Sequence, residues 1–480
     1  MDDINWQKLA VLYRQQHLTT VVQESKVGYG DFGREIGCPV LPSNLTLRKY
    51  QHQAVANWLA NQGRGTLKMA TGSGKTIVAL AIATELYRQI GLQVLLIVCP
   101  YKHLVNQWAR ECQRFNLKPT IAMNRVDNWQ AELSNQLYNL TTQTQTFLTI
   151  ITTNATLMST GMQSQLKYFP AKSLIVGDEA HNLGSSRLLA SLPRNLGLRL
   201  ALTATPSRQY DANGTEALLD YFGKIIPPEF TLADAIAQGA LVPYDYYPMF
   251  VELTPSESLV YARLTKRIAW VLNKNPSWQN NPDLTTLLVK RARLVANATN
   301  KLTCLRELMR SRLDTSHTLF YCGDGYVDRD LRQIDAVTQL LGKELGYRVN
   351  TYTNETTIEI RETLRQQFES GTLQGLVAIE CLDEGIDIPA IQTAVILASS
   401  SNPRQFIQRR GRILRPHPQK QRATLFDTIV IPPILERDIW AVEKNLLRKE
   451  LNRFITFAEL ADNADEATCK LLQLHERYQL

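Results

Sequence analysis

The chain has 480 residues, 44% hydrophobic and 20% charged, an ordinary globular balance for which length predicts roughly two to four domains. Its 53 basic and 45 acidic residues leave a net charge of +8, compatible with a polyanionic partner. No apolar run approaches about 18 residues, so no membrane-spanning helix is expected, and the start Met1-Asp2-Asp3-Ile4 lacks the basic-then-apolar layout of a secretion signal.

Residues 1–44 open with a short amphipathic segment, Trp6–Gln16, and run through a glycine-bearing stretch to Pro39 and Pro42; they read as an accessory element without chemistry of its own. From 45 to about 245, apolar strands at Gly65–Ala70, Val94–Cys99, Phe147–Thr152, Leu174–Val176 and Arg199–Leu202 alternate with helical runs such as Ile77–Gln89. That alternation predicts a parallel sheet covered on both faces. Residues 246–312 change character: Glu252 to Arg312 is charged and helical, punctuated by Pro255, Pro276 and Pro282, and reads as a helical insertion opening a second domain. The alternation resumes over 313–432, with strands at Leu319–Cys322, Arg348–Tyr352, Leu376–Ile379, Thr393–Leu397 and Ala423–Val430 and helices at Asp335–Leu345 and Glu359–Glu369. Residues 433–480 read as a helical tail. The cysteines at 38, 99, 112, 304, 322, 381 and 469 are far apart, with no CxxC pair; a zinc or iron–sulfur centre is not expected, and the thiols suit a cytoplasmic protein.

The run Ala70–Thr76 (ATGSGKT) sits between a predicted strand and a predicted helix. Gly72 and Gly74 let the backbone curl so that successive N–H groups of Thr71, Gly72, Ser73 and Gly74 face one phosphate at a helix N-terminus. Lys75 can then reach the β- and γ-phosphates of ATP, and the Thr76 hydroxyl can ligate Mg²⁺. The usual pattern has Gly where this chain has Met69. About a hundred residues on, Gly177–His181 (GDEAH) follows the strand Leu174–Val176. Carboxylates at the C-terminal end of such a strand can hold the metal (Asp178) and orient or deprotonate an attacking water (Glu179), while His181 can bond the γ-phosphate or a neighbouring motif.

Further segments follow in order, and with them the chain resembles superfamily 2 helicases and translocases of the DEAD/DEAH group from about residue 45 to about 432. Leu47–Gln51 is similar to the adenine-recognising segment, which makes Gln51 the base reader. Pro100–Trp108 (PYKHLVNQW) and Ile151–Thr153 resemble nucleic-acid-contacting motifs, implying contacts from Lys102, His103, Gln107 and Thr153, with Arg361 a further one. Thr203–Pro206 (TATP) matches the segment that couples hydrolysis to domain motion, through Thr203 and Thr205. Gly385–Pro389 (GIDIP) matches the fifth motif, with Asp387 at the nucleotide. Gln408–Arg412 (QRRGR), ending in Arg415, matches the sixth. There the resemblance makes Arg412 and Arg415 arginine fingers, which suit a planar phosphate contact, and gives Gln408 and Arg409 coupling roles.

The resemblance implies an α/β fold of two tandem RecA-like parallel-sheet domains with a helical insertion and helical terminal segments. It implies a nucleic-acid-stimulated ATPase using ATP and Mg²⁺. The Gln-Arg form of the sixth segment resembles restriction-enzyme motors and DNA-repair translocases, so DNA is the expected track, gripped mainly by its phosphates. An RNA helicase or RNP remodeller, and an ATP-controlled clamp serving as recognition subunit of a larger complex, are the alternatives. No nuclease, methyltransferase or glycosylase constellation is visible, so cutting would belong to a partner subunit of a restriction, defence or repair assembly.

Overall fold

The computed structural model describes residues 4–18, 36–206, 211–274, 282–328, 330–353, 355–379, 388–398, 411–435 and 437–480. They form two compact units, residues 1–235 and 236–480.

The first unit is built on seven strands: β1 (Arg64–Met69), β2 (Val94–Cys99), β3 (Pro119–Ala122), β4 (Leu148–Thr153), β5 (Ser173–Gly177), β6 (Leu198–Thr203) and β7 (Ile225–Phe230). They lie in the order β3-β4-β2-β5-β6-β1-β7, all parallel. A parallel sheet carries helices on both faces, so its strands are buried on both sides and read as unbroken apolar runs. β2 (VLLIVC) is the clearest case, with every residue buried. Helix α1 (Trp6–His17) packs on α2 (Lys49–Ala60), and the Tyr13 hydroxyl meets His52 Nδ1 at 2.9 Å. Helix α1 therefore braces the helix that precedes the glycine loop. Helix α3 (Lys75–Ile90) starts at Gly74 and stops at Gly91; both have left-handed φ, +81° and +66°, which a side chain would strain.

The second unit carries β8 (Tyr244–Glu252), β9 (Thr318–Cys322), a small ribbon of β10 (Tyr326–Asp328) and β11 (Leu331–Arg332), β12 (Val349–Tyr352), β13 (Gly375–Ile379), β14 (Thr393–Ile396) and β15 (Ala423–Ile431). Its main sheet runs β12-β13-β9-β14-β15-β8, again all parallel. The expected α/β class with two parallel sheets is what the chain forms. β8 was not expected as a strand. Pro248 breaks its donor pattern, and a proline is tolerated because β8 lies at the sheet edge. The expected helix Asp335–Leu345 is α-helical over Gln333–Gln339 and closes in a wider turn, Leu340–Glu344.

The helices Pro255–Lys274 and Pro282–Ala296 pack together, and the first also packs on the C-terminal helix Arg437–Ala458. A buried charge pair fixes that junction: Arg291 Nη2 donates to Glu443 Oε1 at 2.9 Å, and the Tyr261 hydroxyl bonds both partners. No helix among the described residues is long and apolar enough to cross a membrane.

Candidate functional site

β1 leads into the glycine loop, β5 leads into Asp178, and β6, which ends at Thr203, lies between them. Sheet order alone thus brings together three segments that follow Met69, Gly177 and Thr203, at the C-terminal end of a parallel sheet where ligands of such folds bind.

The loop is held from behind. The Tyr50 hydroxyl and Gln51 Nε2 both donate to the Ser73 carbonyl, at 2.6 and 3.1 Å, while Gln51 Oε1 accepts the Arg48 N–H at 2.9 Å. Tyr50 stacks on Phe230 with ring centroids 3.8 Å apart, and the Phe230 carbonyl accepts the Ala70 N–H at 2.7 Å. These bonds use one of the two amide hydrogens of Gln51 and one lone pair of its oxygen. Met69, where a glycine is usual, is still part of β1, paired with Phe230 and fully buried; the chain turns only after it, so the position needs no glycine. Gly72 and Gly74 both have φ above +80°, and a Cβ on Gly74 would lie 2.5 Å from Gln51 Nε2. Lys75 Nζ donates to the Met69 and Ala70 carbonyls at 3.0 and 3.3 Å. The Thr71 and Ser73 hydroxyl oxygens are buried with no hydrogen-bond partner among the described residues. Buried polar atoms are normally satisfied, so two orphans in a loop of curled N–H groups fit a bound polyphosphate. Thr76 follows on the first turn of α3.

At the end of β5, Asp178 Oδ1 accepts the Glu179 N–H at 2.9 Å and Oδ2 accepts the Trp108 indole N–H at 2.8 Å. Glu179 itself has φ +43°, a left-handed conformation uncommon outside glycine and typical of strained functional turns. His181 Nδ1 lies 3.5 Å from Glu179 Oε2 and 3.3 Å from Thr203 Oγ1, which also accepts the Thr205 N–H at 3.2 Å. The nearby thiols are inert: burial, helped by the Asp178 charge, pushes the Cys99 thiol well up, and burial pushes Cys112 to about 12.

Helix α4 (Lys102–Arg114) begins just after β2. Lys102 is exposed on its first turn, His103 and Gln107 are half-buried, and the exposed Tyr101 ring stacks on His103 with centroids 5.6 Å apart. Thr153 is placed differently. It is buried, and its hydroxyl caps the following turn by accepting the Thr156 N–H at 3.2 Å.

In the second unit, Arg361 Nη2 donates to the Thr353 carbonyl at 2.9 Å beside the Tyr352 ring. Arg412 and Arg415 are half-buried. Lys420, 5% exposed, donates to the carbonyls of Arg415 at 2.9 Å, Pro389 at 3.3 Å and Ile413, tying the end of the GIDIP segment to the arginine segment. Burial pushes its pKa down to about 7. Asp387, Gln408 and Arg409 lie outside the described residues.

The sequence reading missed Tyr50, Trp108 and Lys420. Tyr50 lies inside Leu47–Gln51, adjacent to Gln51, and Trp108 ends Pro100–Trp108, one residue past Gln107, so position alone marks them. Lys420 carried no signal, because nothing local marks a lysine as buried.

Comparison with known proteins accords with this geometry. The family described as Type III restriction enzyme, res subunit, matches residues 44–208, and the helicase conserved C-terminal domain matches residues 300–417. A protein named DNA 3'-5' translocase XPB2, from Sulfurisphaera tokodaii, is 27% identical over 401 residues, covering 82% of this chain and 83% of the relative. The solved ATP-dependent Type ISP restriction-modification enzyme LlaBIII bound to DNA is similar at TM-score 0.55 and 18% identity, over 88% of this chain and 31% of that one. The Pyrococcus furiosus Hef helicase domain is similar at TM-score 0.52 and 16% identity, over 83% of this chain and 98% of that one. At such identities the two structures speak to the fold alone. With a restriction-enzyme res-subunit match in the first unit, a helicase C-terminal match in the second, and the phosphate loop, acidic turn and TATP segment together at the C-terminal end of one sheet, the chain belongs to the superfamily 2 helicases and translocases, enzymes that hydrolyse ATP.

Proposed function

We propose that this chain is a DNA helicase or double-stranded DNA translocase. The observation that carries the reading is the single edge formed by β1, β6 and β5, where the loop that suits a polyphosphate lies two strands from Asp178-Glu179 with Thr203 between. Thr71 to Thr76 hold the phosphates, Gln51 reads the base, and Glu179 orients and deprotonates the attacking water. Mg²⁺ held by the Thr76 hydroxyl and the Asp178 carboxylate would neutralise phosphate charge. Arg412 and Arg415 supply cations to the transferring phosphoryl group. Lys102, His103 and Gln107 contact the nucleic acid through its phosphates, so binding is salt-sensitive and nearly sequence-independent. Thr153, with its hydroxyl spent on a cap, contributes through its backbone at the strand end. DNA is the favoured track because a relative that matches over 82% of this chain and 83% of its own length is named a DNA translocase and because of the Gln-Arg form of the sixth segment.

The test is a panel of ATPase rates with duplex DNA, single-stranded DNA, RNA and no nucleic acid, paired with a triplex-displacement assay. Stimulation by duplex DNA with displacement of the third strand supports translocation. Stimulation by RNA alone would replace the DNA reading with an RNA helicase. Stimulation without movement would leave a clamp.

A further inference from the structure

Asp178 has both carboxylate oxygens engaged by the protein, one by the adjacent backbone N–H and the other by the Trp108 indole. The second bond is the unusual one. An indole has a single hydrogen to donate, and here it goes to a buried carboxylate 70 residues away, at 2.8 Å, from a side chain only 1% exposed. A bond from a neutral donor to a charged acceptor is stronger than a neutral pair, and away from water it is stronger still. It fixes the rotamer of a carboxylate at the end of β5.

The helix that supplies this indole also carries the exposed Lys102. α4 buries Leu104, Val105, Trp108, Ala109 and Cys112 and leaves Lys102 exposed at its start. Lys102 and Trp108 are six residues apart, about 9 Å along one rigid helix. A phosphate seated on the first turn of α4 therefore loads the same rod that holds Asp178.

We infer that Trp108 is a positioning residue that sets Asp178 for Mg²⁺–nucleotide and makes that setting respond to nucleic acid at the start of α4. The inference rests on the proposed function: its first half on Mg²⁺ held at Asp178, its second on nucleic acid at the start of α4. By linkage, whatever nucleic acid does to nucleotide affinity, nucleotide does to nucleic-acid affinity by the same factor.

The test uses the full chain and two variants: Trp108→Phe, and replacement of Trp108 by benzothienylalanine, which keeps the bicyclic shape and removes only the N–H. A fluorescent non-hydrolysable ATP analogue is titrated with and without Mg²⁺, and with and without duplex DNA. In the wild type, Mg²⁺ tightens the analogue and duplex DNA enlarges that gain. In both variants the Mg²⁺ gain should shrink by about tenfold or more, the size expected for a lost hydrogen bond to a charged group. Affinity without Mg²⁺ should change less than about twofold, and the DNA effect should vanish. If Trp108→Phe melts early, the benzothienyl protein decides. A variant that keeps the full Mg²⁺ gain overturns the inference, as does one that loses Mg²⁺-free affinity to the same extent, since that is a packing defect. If duplex DNA has no effect on the wild type and does not stimulate its ATPase, the proposed function fails instead; the Mg²⁺ comparison then still decides whether Trp108 positions Asp178.

Discussion

His181 Nδ1 stands 3.3 Å from Thr203 Oγ1, linking the acidic turn after β5 to the TATP segment after β6. The same hydroxyl accepts the Thr205 N–H, so one oxygen joins the histidine to the backbone that leaves the sheet. Thr203→Val keeps the shape and removes that oxygen. The expected outcome is ATP turnover within a few-fold of wild type with strand displacement or triplex displacement lost. Measuring both rates on one preparation decides it: equal losses in the two would show that Thr203 serves hydrolysis itself and not its coupling to movement.

Lys75→Ala and Glu179→Gln should both abolish hydrolysis and differ in binding. Lys75 bonds the Met69 and Ala70 carbonyls beside the loop, and its loss removes a cation the phosphates need, so nucleotide affinity falls. Glu179→Gln preserves the turn and its side-chain volume, so affinity for a non-hydrolysable analogue holds while turnover is lost. Wild-type turnover in Glu179→Gln would take the role of base away from this residue.

Arg412→Ala or Arg415→Ala should lower kcat by roughly 10³-fold or more if each acts on the transferring phosphoryl group. Nucleotide affinity should change far less. Single-turnover kinetics beside equilibrium binding separate the two effects; a loss confined to affinity would make the arginines ground-state binders.

Lys420 gives a pH signature. Burial pushes its folded pKa down to about 7, against 10.5 for the free side chain. Between these values the unfolded chain holds a proton that the folded one has released, so unfolding takes up a proton and stability rises with pH. The burial cost is fully present below about 7 and is relieved as pH climbs toward 10.5. Lys420→Met abolishes this titration. Its melting temperature should start lower, because the Arg415, Pro389 and Ile413 carbonyls lose their donor, and should climb less steeply across that window than the wild type's. Parallel melting profiles for the two proteins would show that Lys420 titrates normally.

Local sequence determined the parts whose physics is local. Val94–Cys99 is a strand because six consecutive apolar residues can be satisfied only with both faces covered, and the observed strand has those bounds. The ATGSGKT run specifies its own curl, since Gly72 and Gly74 supply the positive φ that other residues resist. Other cases needed the whole molecule. Tyr244–Glu252 contains a proline that argues against a strand until its place at the sheet edge is known. Met69 breaks the loop pattern until its pairing with Phe230 shows that the turn begins one residue later. The bonds from Trp108 to Asp178 and from His181 to Thr203 span 70 and 22 residues, and the order β2-β5-β6-β1 decides them. Hydrophobic periodicity and backbone preference act over a few residues and are written in the chain. Which donor meets which carboxylate depends on strand order, and strand order is fixed only when the helices close over the sheet.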